Sequence, residues 1–120
     1  MKKILILEDD PVRHSAFRKN FWSCELTIVV TAQEAIKDLT ENKYDILFLD
    51  HDLGGTTFAP SDENSGYGVA KFLEQNPKYK PNLIILHSLN PQGRTAMNMA
   101  LPEAIQKPFI WQAEIDFGVS

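Results

Sequence analysis

A chain of 120 residues that is 43% hydrophobic holds enough apolar material for one compact core, so a single domain over residues 1–120 is expected. The formal net charge of −4 excludes a broad basic surface that tracks a nucleic-acid backbone, but leaves room for a small phosphate-bearing ligand. Cys24 stands alone and rules out an internal disulfide, which points to a reducing, cytoplasmic setting, and no apolar run is long enough to meet a membrane by spanning it.

In chain order, Ile4-Leu5-Ile6-Leu7 is the first of three unbroken apolar runs. It follows two lysines but is too short for a signal peptide before Glu8-Asp9-Asp10 interrupts it. Pro11 then follows Asp10 as a first-turn proline does, with Val12, Ser15, Ala16 and Lys19 at helical spacing and Phe17 beside them. Residues 25–30 read as a less pure strand. Thr31-Ala32-Gln33-Glu34 has the spacing of a capping box and opens a helix through Ala35, Ile36 and Leu39 that breaks at Asn42. The second apolar run, Ile46-Leu47-Phe48-Leu49, stops on Asp50-His51-Asp52. The stretch 54–67 is polar, glycine-bearing and long for a connection in so small a domain, which makes it either a binding loop or a surface insertion. Val69, Phe72 and Leu73 mark a third helix ending near Asn76-Pro77. The third run, Leu83-Ile84-Ile85-Leu86, leads into His87-Ser88-Leu89-Asn90. Ala96, Met97 and Ala100 mark a fourth helix ending before Pro102, and residues 103–106 form a short fifth strand.

Unbroken runs, rather than alternating ones, are the pattern of parallel strands buried on both faces. Strands alternating with helices therefore predict a doubly wound α/β domain with a five-stranded parallel sheet. Ligands in such sheets bind beyond the carboxyl ends of the strands. If the first and third strands are neighbours, Glu8, Asp9 and Asp50 converge there, and carboxylates packed together repel unless a cation sits among them. Mg2+, or Mn2+, suits such an oxygen-rich site and keeps waters for a phosphate to displace. Lys107 then meets a phosphoryl oxygen as a point charge, with Ser88 or His87 hydrogen-bonding another. If the chain stays extended through the triplet, Asp50 and Asp52 point one way and His51 the other, which makes Asp52 a further candidate metal ligand. His14 is an ordinary helix histidine and is left outside the site.

ILILEDDP, YDILFLD and Lys107-Pro108-Phe109 resemble the receiver domain of two-component response regulators. The resemblance implies a sheet of order 2-1-3-4-5. It also implies metal ligation by Glu8 and Asp9, a nucleophile or third ligand at Asp50, and Lys107 on the phosphoryl group. His87 stands where an ordinary receiver has a hydroxyl residue, with Ser88 one place later, and residues 110–120 are too few for a full last helix, which is expected to be shortened or missing. Asp50-His51-Asp52-Leu53-Gly54 followed by His87-Ser88-Leu89-Asn90-Pro91 is similar to receiver-like proteins thought to process cyclic phosphates. That resemblance implies a metal-dependent phosphoesterase acting on a small phosphate ester or a nucleic-acid end. Asp50, His51, His87 and Lys107 would be catalytic, Ser88 would contact the phosphate, and Glu8, Asp9, Asp50 and Asp52 would surround the metal. The alternative is a single-domain response regulator phosphorylated on Asp50 by a sensor kinase.

Overall fold

The computed structural model describes residues 1–53 and 61–108. Five strands, β1 (Lys3–Leu7), β2 (Glu25–Val29), β3 (Ile46–Leu49), β4 (Leu83–Leu86) and β5 (Ile105–Gln106), form one parallel sheet in the order β2-β1-β3-β4-β5. Four helices connect them: α1 (Pro11–Asn20), α2 (Ala32–Glu41), α3 (Gly66–Gln75) and α4 (Pro91–Ala100). A 3-10 turn at Pro77–Tyr79 precedes β4.

Side-chain alternation divides the core in two. Ile4, Ile6, Ile46, Phe48 and Ile85 face α1 and pack on Phe17 and Phe21. Leu5, Leu7, Leu47, Leu49, Ile84 and Leu86 face the other way, onto Ala35 and Leu39 of α2, Val69 and Leu73 of α3, and Met97 of α4. Because both faces are covered, the three central strands carry no polar residue beyond Lys3 at the start of β1. The helices start on local chemistry. Asp10 accepts from the Val12 amide ahead of Pro11, Thr31 and Glu34 close a reciprocal capping box, and Ser65 and Asn90 cap α3 and α4.

The sequence expectation of a loop through Tyr67 is corrected by α3, which already begins at Gly66 under its Ser65 cap. Gly66 is there for closeness of approach: a Cβ at this position would lie 1.7 Å from the Asp50 carbonyl oxygen. The glycines of residues 54–55 and the expected shortened last helix lie outside the described residues. Among the described residues no helix is long and apolar enough to cross a membrane.

Candidate active site at the carboxyl edge of the sheet

The strand register sets the site. Leu7 pairs with Leu49, Leu49 with Leu86, and Leu86 with Gln106. One residue further along each strand come Glu8, Asp50, His87 and Lys107, and backbone hydrogen bonds continue the ladder into that row. The Asp50 amide donates to the Leu7 carbonyl at 3.1 Å, the His87 amide to Leu49 at 3.2 Å and the Lys107 amide to Leu86 at 2.9 Å. Glu8, Asp50 and His87 lie two places beyond Ile6, Phe48 and Ile85, so alternation directs these three toward the α1 side. The row also straddles the point between β1 and β3 where the connections change sides, the usual ligand crevice of such sheets.

Glu8, Asp50 and His87 are all buried, and each offers a ligand atom within 4.8 Å of the others. The His87 Nε2–H donates to Glu8 Oε1 at 3.0 Å, while its ring packs edge-on against Phe17 and Phe48 at centroid distances of 5.3 and 6.1 Å. Arg13, in the first turn of α1, donates Nη1 to Glu8 Oε1 at 3.2 Å, stands 3.9 Å from Asp50 Oδ2, and places Nε 3.8 Å from Asp10 Oδ2. His14 reaches back to the Glu8 backbone carbonyl.

These neighbours treat the two carboxyls differently. Burial alone would raise Glu8, but the His87 hydrogen bond and charge, the Asp10 amide at 3.0 Å and Arg13 outweigh it and hold the group down at about 2. Burial also dominates at Asp50. There the charge of Glu8 adds to it, and His87, Arg13 and the His51 amide offset only part, so the carboxyl is pushed up to about 6. Two oxygen donors and an imidazole at this spacing suit a divalent cation, either Mg2+ through the oxygens or Mn2+ with the nitrogen as well.

The other expected residues fall around this trio. Asp9 is half-buried beside Glu8. Lys107 continues the row beyond His87, with its residue exposed. Ser88 is buried and accepts the Asn90 amide at 3.1 Å. The chain bends at His51 instead of remaining extended, because the His51 carbonyl accepts from the Gly66 amide at 3.0 Å. Asp52 consequently turns to His51 Nδ1 at 2.8 Å and to Asn90 Nδ2 at 3.1 Å. His51 is fully buried against Gly93 of α4, where a Cβ would come within 2.4 Å of the ring, and its Nε2 meets the Ser61 hydroxyl at 2.8 Å. Arg13 and Ser61 are not among the residues expected from the sequence, and Asn90 figures there only within the His87–Pro91 motif. Of the two unexpected residues, Arg13 carries a local signal: it lies three residues after Asp10, within reach of the strand end.

A doubly wound sheet of this order, with paired carboxylates buried where β1 and β3 end, defines a receiver-type domain. The chain belongs to the family of cyclic-phosphate processing receiver domains, whose model matches residues 3–103. Among solved structures it is similar to the response regulator TrrA from Thermotoga maritima in complex with Mg(2+)-BeF, with TM-score 0.70 and 24% identity over 93% of this chain and 91% of that one. It is also similar to the phosphorylated cyanobacterial phytochrome response regulator RcpA, with TM-score 0.72 and 17% identity over 88% and 79%. The Mn(2+)-bound form of the response regulator Rcp1 gives TM-score 0.70 and 18% identity over 89% and 81%. At these identities the likeness is one of fold. No curated protein matches the chain.

Proposed function

We propose that the protein is a divalent-metal-dependent phosphoesterase that opens a cyclic phosphate, on a nucleotide or an RNA end. The observation that carries this reading is the single in-register row that brings Glu8, Asp50 and His87 within 4.8 Å of one another, in a chain of the cyclic-phosphate processing family. Glu8 and Asp50, with Asp9 beside them, would hold Mg2+ or Mn2+. The bound ion supplies Lewis-acid stabilisation of the phosphoryl oxygens and a water of lowered pKa. His87 would be the proton carrier of the row: its Nε2–H, donated to Glu8 Oε1 in the metal-free pocket, would turn to a leaving alkoxide once the metal takes that carboxylate. Lys107 meets a phosphoryl oxygen as a point charge, and the Ser88 hydroxyl hydrogen-bonds another. Asp52 and Ser61 hold the two ring nitrogens of His51 against α4, so His51 supports the turn after Asp50, and a part for it as a second imidazole needs the ring to leave those partners. In this reading Asp52 acts through His51, and a place for it among the metal ligands needs its carboxylate to leave that imidazole.

The test is incubation with Mg2+ or Mn2+ and a panel of 2′,3′-cyclic nucleotides. Turnover is expected in wild type, abolished by EDTA and by Asp50→Asn, and reduced by roughly two orders of magnitude or more in His87→Gln. A panel on which wild type does no better than Asp50→Asn contradicts the proposal.

A second reading is favoured by Asp50 standing at the end of β3 beside Glu8, and by the phosphorylated and Mg(2+)-BeF-bound states in which RcpA and TrrA were solved. In it Asp50 accepts a phosphoryl group from a sensor kinase. Treatment with acetyl phosphate and Mg2+ followed by intact-mass analysis separates the two. A lasting adduct of one phosphoryl group, absent in Asp50→Asn, supports signalling, and turnover of cyclic substrate without an adduct supports the esterase.

A further inference from the structure

We propose that Arg13 is an exchangeable counter-ion of the pocket. It bridges Glu8 and Asp50 until a divalent cation takes both carboxylates, and then turns its guanidinium to a non-bridging oxygen of the bound phosphate ester. The inference rests on the metal-and-phosphate reading of this site and adds a residue and an order of events to it. Arg13 Nη1 lies 3.2 Å from Glu8 Oε1 and 3.9 Å from Asp50 Oδ2, so the guanidinium already provides the positive charge that two buried carboxylates need. An ammonium or imidazole could yield to an incoming cation by losing its proton. A guanidinium cannot, because it stays charged throughout the accessible pH range. A divalent ion bound by Glu8 and Asp50 therefore repels Arg13 at close range, and movement is the available relief.

The side chain is placed for such a movement. It springs from the first turn of α1, is 17% exposed, and has a second anchor in Asp10 Oδ2, 3.8 Å from Nε, on the solvent side of the pocket. From there its planar fork matches the oxygens of a phosphate in a way a lysine does not. The phosphate reaches the pocket from solvent, and the crevice beyond the strand ends is its route. Arg13 thus opposes the metal and favours the phosphate.

Opposed effects on two ligands are the signature, and calorimetry on the full chain reads both. Mg2+ alone is titrated first, and inorganic phosphate is then titrated into Mg2+-saturated protein. In Arg13→Gln, Mg2+ is expected to bind roughly tenfold tighter, since a unit charge within a few ångströms of the ion is removed, while phosphate binds roughly tenfold more weakly. In Arg13→Lys, which loses the fork and whose ammonium can yield by losing its proton, Mg2+ affinity falls between wild type and Arg13→Gln, and phosphate affinity still drops. If both affinities fall together in Arg13→Gln, or neither changes, the exchange is overturned and Arg13 is only a pocket brace. If Arg13→Gln does not fold, the lysine variant decides: unchanged phosphate affinity overturns the proposal. A wild type that binds no Mg2+ overturns the metal reading as well, an outcome distinct from Mg2+ binding that ignores Arg13.

Discussion

Replacing Asp50 with asparagine should stabilise the metal-free protein at neutral pH, although it removes a buried charge that the proposed metal site needs. Asp50 is 3% exposed, and its carboxyl is raised from 3.8 to about 6, mainly by burial and then by the charge of Glu8. A carboxyl raised on folding contributes no penalty where both states are protonated, below 3.8. It costs stability progressively as the pH rises through that window, and carries the full penalty above about 6. The gap of about 2.2 between those values, at ~1.36 kcal/mol per pH unit, amounts to ~3 kcal/mol. Asparagine keeps an oxygen for the His51 amide, which now donates to Oδ1 at 2.9 Å, so the relief comes with little lost hydrogen bonding. Urea denaturation in EDTA should show Asp50→Asn more stable than wild type by up to ~3 kcal/mol at pH 7.5, with the difference vanishing near pH 3.5. Saturating Mg2+ should shrink or reverse the advantage, since a ligand at a hundredfold its Kd adds about 2.7 kcal/mol to the protein that binds it. A variant that is less stable than wild type in EDTA at pH 7.5 would refute the reasoning. It would mean that the attraction of Asp50 to Arg13 and His87 exceeds the cost of burying its charge.

The neighbouring carboxyl should respond with the opposite sign. Glu8 is lowered from 4.5 to about 2, so its contribution is present above 4.5 and lost as pH falls through about 2; Glu8→Gln should destabilise by ~3 kcal/mol at pH 7 in the same urea assay, with the loss disappearing in strong acid. Mg2+ must displace the Asp50 proton below about 6, and calorimetry should find an affinity that is level above that pH and falls roughly tenfold per pH unit below it. Gly93→Ala would drive a methyl to within 2.4 Å of the His51 ring, and thermal melts should register a loss of roughly 1–3 kcal/mol together with altered His51 resonances by NMR.

The strands of this fold are easy to read in the sequence because both their faces are covered: Ile4-Leu5-Ile6-Leu7 and its two counterparts carry no polar residue to confuse the pattern. The row of site residues follows from the same runs, since Glu8, Asp50 and His87 each stand directly after the last apolar residue. Other features depend on contacts between distant elements. Strand order came from the receiver resemblance, because nothing local says that β3 lies beside β1. Gly66 and Tyr67 read as loop because glycine marks turns, yet Gly66 is helical and small so that α3 can rest on the Asp50 carbonyl. Asp52 was expected to alternate with His51, and a backbone hydrogen bond from Gly66, fifteen residues later, bends the chain instead. Arg13 joins the site only because the crossover of α1 lays it over the strand ends.

Soaking crystals with Mn2+ and mapping the anomalous signal tests the pocket most directly. A single strong peak within coordination distance of Glu8 and Asp50, lost in Glu8→Gln and Asp50→Asn, is the expected result. Well-ordered Mn2+ bound elsewhere, with Arg13 still seated between the two carboxylates at saturating metal, would contradict both the metal site and the chemistry built on it.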